Sequence, residues 1–150
     1  MTYQEKNITV TLSSAILIVG YYLLSIFQMT QHGSLDSTKL YRLWGIVIAA
    51  MIIINIAGMI FAHILSAVIQ AAKTNQEPEI EDIEDERDEL IKLKGTKVGY
   101  IIFSLGVFLS MLTQVIGKPP LVMFSLLIFF HLFSGIVADI SRLIFSRRGF

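Results

Sequence analysis

The sequence contains no cysteine. That removes disulfides, thiolate catalysis and Cys-based zinc or iron–sulfur sites together. Proline is almost as scarce, with three in 150 residues, two of them adjacent at Pro119-Pro120. Charge is thin, at 16% of residues against 54% hydrophobic. An ordinary soluble domain is more polar than this. A basic surface is missing as well. Twelve Lys and Arg are balanced by twelve Asp and Glu, and nine of those acids lie between Glu77 and Glu89. No patch is left to neutralise phosphates, which excludes nucleic acid as a direct partner. Gly-rich phosphate loops, nucleophile elbows and paired membrane carboxylates are also missing. The expectation is a protein that is not an enzyme and carries no cofactor.

What is present is apolar sequence in long blocks. A helix of about 20 apolar residues spans a bilayer core, and four blocks meet that length. In lipid every backbone N–H and C=O must be paired within the segment, so each block is expected to be helical. The blocks predict an all-α, four-transmembrane-helix bundle in one membrane domain, with the lipid bilayer as its first partner. The helices are placed at about 8–29, 43–72, 98–116 and 121–145. The first block is longer than a signal-peptide core, is flanked by both Glu5 and Lys6, and has no Ala-x-Ala site after it. It reads as a retained helix.

Between the second and third blocks lies a charged segment, 73–97. Pro78 suits a helix start, and the acids that follow suit the positive end of a helix dipole. Lys92, Lys94 and Lys97 come later, with Asp88 four residues ahead of Lys92, the favourable order for a helical ion pair. The expectation is a cytosolic amphipathic helix between helices 2 and 3, either separate or running nearly unbroken past Gly95 into helix 3, a dock for a cytosolic regulatory protein with a basic face. The plainer alternative is a solvated spacer. Nine Lys and Arg fall on the side of the N-terminus, this segment and the C-terminal end, and three on the other. Positive-inside then puts both termini in the cytosol of a cell whose inner membrane the chain crosses. Asn7-Ile8-Thr9 fits a glycosylation acceptor but falls on that cytosolic side.

Polar residues inside the apolar blocks are the other candidates. On helix 4, His131, Ser134, Gly135, Ala138, Asp139 and Arg142 recur at spacings of three and four. Such a face points into protein or water rather than lipid. Asn55 and His63 lie on helix 2. Ionisable groups within spans are expensive, and each is a functional candidate. His131 would titrate near mid-membrane and Asp139 would sit at the mouth of a proton or ion path. The plainer reading has His131 hydrogen-bonded to a neighbouring helix and Asp139 paired with Arg142. His63, His131 and Asp139 are of the right types for zinc, but no two share a ligand spacing and no metal site is assigned. Small residues mark packing ridges: Gly58, Ala62 and Ser66 on helix 2; Gly99, Gly106 and Ser110, with Gln114, on helix 3; Gly135 on helix 4. Such ridges admit close helix approach. They predict a homo-oligomer, a dimer above all, formed through helix 2 or helix 3. On helix 1, Ser13, Gly20 and Gln28 form a further candidate stripe.

Residues Asp85 to Lys94, DERDELIKLK, resemble the DERD-x-L-I-x-L-K motif of an uncharacterised family of small prokaryotic four-helix membrane proteins. The tail Arg147-Arg148-Gly149-Phe150 is similar to that family's basic ending. The resemblance covers about Asp85 to Phe150. Helices 1 and 2 match it only as apolar helices. It implies four membrane helices with the motif leading into the third. It also implies partnership with a helix-turn-helix regulator, since members are often encoded beside one. No activity is carried over. Three functions follow from the chain as a whole: a non-enzymatic interaction or regulatory protein docking through its acidic segment, an oligomeric channel or transporter using the polar face of helix 4, or an immunity protein against membrane-active peptides.

Overall fold

The computed structural model describes residues 3–33, 36–73 and 86–148, with side chains described from Ile8 onward except at 59, 61–63, 65–67, 69–73, 86 and 148. Within these residues the chain is helical and contains no strand. The helices are α1 (Tyr3–Gln31), α2 (Ser37–Lys73), α3 (Glu86–Val115) and α4 (Pro120–Arg148). All four are long and apolar enough to cross a membrane. Each reaches beyond the apolar block that nucleates it, because polar turns at the ends satisfy their outer groups in water and continue the ladder.

The two short connections have clear causes. After α1, Gly33 adopts φ +58°, a left-handed conformation in which a side chain would be strained. Asp36 then occupies the cap position of α2, its carbonyl accepting from the Leu40 N–H at 3.0 Å. After α3, Gly117 adopts φ +72°. The Lys118 N–H reaches back to the Thr113 carbonyl at 2.9 Å and the Gly117 N–H to Gln114 at 3.1 Å, which closes the helix with its last carbonyls paired. Pro120 opens α4, where its missing N–H costs nothing.

Neighbouring helices alternate in direction, so α1 begins, α2 ends, α3 begins and α4 ends at the same end of the bundle. That end is called the open end below. α4 is the hub: it packs extensively on α3, well on α1 and briefly on α2, while α1 also packs on α2. Among the described residues α3 touches no helix but α4. The core lies between α1, α2 and α4, around Ile18, Tyr22, Val47, Ile128, Leu132 and Ile136.

The α3–α4 seam is made by small residues. Gly95, Gly99, Gly106 and Ser110 are all buried along one side of α3. A methyl group at Gly99 would lie 2.9 Å from the Ala138 Cβ and 3.1 Å from the Ser134 carbonyl, and one at Gly106 would strike the Phe130 side chain. The ridge expected on helix 3 therefore serves the chain's own fold rather than a second copy. Gly58 on α2 and Gly135 on α4 face nothing within 4 Å. The side chains of Ala62 and Ser66 lie outside the described residues.

Two expectations need correction. No separate helix between α2 and α3 is found among the described residues. The charged stretch from Glu86 onward is the first part of α3, because Gly95 sits at a close helix crossing and does not interrupt the ladder. Residues 74–85, including Pro78 and Asp85, lie outside the described residues. The stripe Ser13, Gly20 and Gln28 is likewise not the packing face of α1. Ser13 and Gln28 are exposed and Gly20 meets no neighbour. α1 turns Thr11, Ala15, Ile18 and Tyr22 inward instead, the face that carries the bulk needed to fill the core.

Candidate functional site

At the open end, α1, α2 and α4 diverge around a cavity of about 270 Å³. α4 supplies His131, Ser134, Gly135, Asp139 and Arg142, α2 supplies Asn55, and α1 supplies Thr11 and Ser14. The polar face expected on helix 4 is therefore one wall of a shared space, and Asn55 reaches it from the opposite wall. The His63 side chain lies outside the described residues. Among the described residues no three acids or histidines come close enough to hold a metal ion.

The ion pair sits at the outer rim. Arg142 Nη1 donates to Asp139 Oδ1 at 3.0 Å, with the Asp139 side chain 15% exposed and that of Arg142 28%. The other Asp139 oxygen, Oδ2, lies 3.3 Å from the Thr11 hydroxyl on α1. Thr11 also lies 3.0 Å from the Ile8 carbonyl, and its single proton serves one acceptor at a time. On the other side Arg142 Nη2 donates to the Thr96 hydroxyl of α3 at 3.0 Å. Thr96 donates in turn to the Lys92 carbonyl at 2.8 Å. One row of polar contacts thus ties α1 to α4 and α4 to α3. Arg142 reaches Thr96 because Gly95 leaves a gap: a methyl group there would strike the arginine Cγ. The Arg142 Nε, drawn into this passage, is buried with no hydrogen-bond partner.

Deeper in, the polar groups are less well paired. His131 stands edge-on to Phe103 of α3, centroids 5.8 Å apart, and neither ring nitrogen has a hydrogen-bond partner among the described residues. The hydrogen bond to a neighbouring helix expected for His131 is not found among the described residues. Ser134 spends its proton on the His131 carbonyl at 2.8 Å. Asn55, exposed at the edge of the cavity, donates its amide nitrogen to the Met51 carbonyl one turn back, at 2.8 Å, and its oxygen has no hydrogen-bond partner among the described residues.

The opposite half of the bundle is packed around Tyr22 and Val47. The Tyr22 hydroxyl crosses to the Ser125 carbonyl at 2.7 Å, with Tyr22 1% exposed and Val47 likewise 1%. Tyr41 and Trp44 close over Phe124, centroids 5.1 and 6.2 Å away.

The second candidate surface is the charged start of α3. Arg87 Nη2 donates to the Ser146 carbonyl of α4 at 3.3 Å, and Lys94 Nζ stands 5.9 Å over the Phe145 ring. Ile91 is 4% exposed. These three face α4, and Asp88 is half-buried. The outward face holds Glu89, Lys92, Leu90 and Leu93, all exposed. Of the residues expected to dock a partner, Arg87 and Lys94 are thus committed to the chain's own fold, Asp85 lies outside the described residues, and Glu86 is described by its backbone alone.

Sequence reasoning missed Thr11, Thr96, Gly95 and Tyr22. Thr11 is a polar residue in an apolar block, a signal equal to that of Asn55. Gly95 could be read as a packing residue by its spacing of four from Gly99. Nothing in the sequence singles out Tyr22 from the other tyrosines. No family model, no curated protein and no solved structure matches the chain.

Proposed function

We propose that the chain is a non-enzymatic interaction protein of the cell membrane, which docks a cytosolic regulatory protein on the first turns of α3. The observation that carries this reading is the continuity of α3. Its 30 residues measure about 45 Å, against a hydrocarbon core of about 30 Å. About three turns are surplus, and the charges place that surplus at Glu86–Gly95. These turns are braced on α4 through Arg87, Ile91 and Lys94, so they form a rigid extension of the membrane domain. A preordered face loses little entropy on binding, and the run of acids that leads into it in the sequence, Glu77 to Asp85, suits a basic partner, for which complementary charge speeds encounter. Positive-inside puts this end in the cytosol. The resemblance of Asp85–Lys94 to a family encoded beside DNA-binding regulators points to the same partner class. The test is a crosslinked pull-down from native membranes, wild type against a variant with Asp85→Asn, Glu86→Gln, Asp88→Asn and Glu89→Gln. The wild type is expected to recover a soluble partner that the variant loses. Recovery of the chain alone by both sinks the docking reading.

The cavity favours a second reading, an oligomeric channel or transporter in which copies meet through the unpartnered Gly58 side of α2. It predicts ion or proton flux in liposomes that His131→Ala abolishes. Equal flux from wild type and variant, or none from either, removes it.

A further inference from the structure

We infer that the cavity between α1, α2 and α4 is an aqueous crevice that enters from the open end and stops at His131, bringing water and protons to the middle of the membrane from one side only. The inference depends on neither functional reading above, because solvent access requires neither a docked partner nor flux.

Three observations carry it. The first is depth. His131 lies eleven residues into α4, about 16 Å from its start and so near the middle of a core about 30 Å thick. Asp139 and Arg142 lie a further two to three turns on, at the opposite edge. The cavity therefore runs from the membrane surface to mid-span.

The second is chemistry. At the inner end, the Asn55 side-chain oxygen and both His131 ring nitrogens have no hydrogen-bond partner among the described residues. A polar group left unpaired in hydrocarbon is costly. Water relieves that cost where a space is polar and roomy enough. This one is roomy, at about 270 Å³, far above what a single water needs, and although most of its wall is apolar it carries Thr11, Ser14, Asn55, His131 and Asp139. The Ser14 hydroxyl donates to the Val10 carbonyl at 3.0 Å and Ser134 donates to its own helix, so both oxygens remain acceptors along the way. The charged groups along the crevice are Asp139 and Arg142 of α4. Among the described residues α1 and α2 contribute only neutral polar groups, and α3 presents the Phe103 ring to His131.

The third is asymmetry. Beyond Leu132 the helices close on Tyr22, Leu43, Val47 and Ile128, each 6% exposed or less. A polar contact crossing that half, Tyr22 to Ser125, is satisfied within the protein. A second space of about 320 Å³ between α1 and α2 adjoins the crevice at Ser14, Ile18 and Ile54 and runs along Leu17, Tyr21, Ile46 and Val47, but its wall is almost wholly apolar, and an apolar space stays dry, so water that enters the crevice does not run on through it. The row Thr11–Asp139–Arg142–Thr96 forms the rim of the mouth.

Because the chain has no cysteine, single cysteines report directly on solvent access. Ser14→Cys, Asn55→Cys and Gly135→Cys are placed one at a time in the full chain, in sealed membranes. Ile16→Cys and Ile53→Cys, exposed outside either cavity, serve as lipid-facing controls, Arg147→Cys marks the open side and Lys118→Cys the other. The probe is a membrane-impermeant, positively charged methanethiosulfonate. Gly135 and Asn55 report independently, and Gly135 has open space for the new side chain, so misfolding of one variant does not end the test. The expected result is modification at the crevice positions at least tenfold faster than at the controls, and only from the side that modifies Arg147→Cys. Rates no faster than at the controls overturn the inference, since the cavity is then dry or covered by lipid or a second copy. Modification from the Lys118 side also overturns it, since the path is then a pore.

Discussion

Arg142 shows how much one residue does here. It neutralises Asp139, reaches Thr96 on the next helix, and threads past Gly95 to do so. A lysine could not span both contacts, because its single ammonium lacks the guanidinium fork. The glycines differ among themselves for equally local reasons. Gly106 lies under Phe130, and any side chain must displace that ring. Gly135 faces the cavity, where a methyl group meets nothing within 4 Å. Gly106→Val is expected to cost about 1–3 kcal/mol by overpacking, whereas Gly135→Ala stays within about 0.5 kcal/mol. Denaturant titration of the purified protein in mild detergent, followed by helical circular dichroism, distinguishes the two. Equal effects would mean that the α3–α4 seam is looser than described.

At the scale of elements, α3 is the unusual helix. It has one neighbour, it outruns the membrane, and its outer turns carry the charges. What holds those turns to α4 is Ile91, with Arg87 and Lys94 beside it. Ile91 lies where water competes, so its burial counts fully as a hydrophobic gain. Ile91→Ala is expected to lower the local stability of residues 87–95 by about 2–4 kcal/mol. Leu93→Ala on the exposed side leaves it within about 0.5 kcal/mol. Hydrogen exchange of the amides in that stretch reads both. Faster exchange in Leu93→Ala alone would place α4 on the other side of the helix.

For the whole molecule the open question is direction. The alternating helices put the ion pair, the crevice mouth and the charged start of α3 at one end, and the two tight turns at the other. On the Lys and Arg count we propose that the first of these is the cytosolic end. In intact cells, Lys118→Cys is expected to react with an impermeant maleimide, and Arg147→Cys only after permeabilisation. The reverse pattern overturns the orientation, and with it the cytosolic partner.

Much of the fold was legible because hydrocarbon leaves the backbone one choice. Long apolar blocks must be helices, and Gly117-Lys118-Pro119-Pro120 must be a turn. The face of helix 4 was legible too, since His131, Ser134, Asp139 and Arg142 share a spacing that lipid would not tolerate outward. Which helices would meet was not legible, because apolar side chains are chemically alike and lipid is as apolar as they are. The start of α3 was only half legible for a related reason: the sequence allowed the charged run either to form its own helix or to continue past Gly95, and only the nearness of Arg142 and Ala138 shows Gly95 to be a crossing point. By itself the sequence determined four helices, their number and rough limits, and the polar residues among them, because one-dimensional patterns and the bilayer suffice for that. The tertiary structure alone decided that α4 is the hub, that the ridge of α3 is used within the chain, and that Thr11, Asn55 and His131 face one cavity, because these depend on the fit of side-chain shapes across helices far apart in sequence.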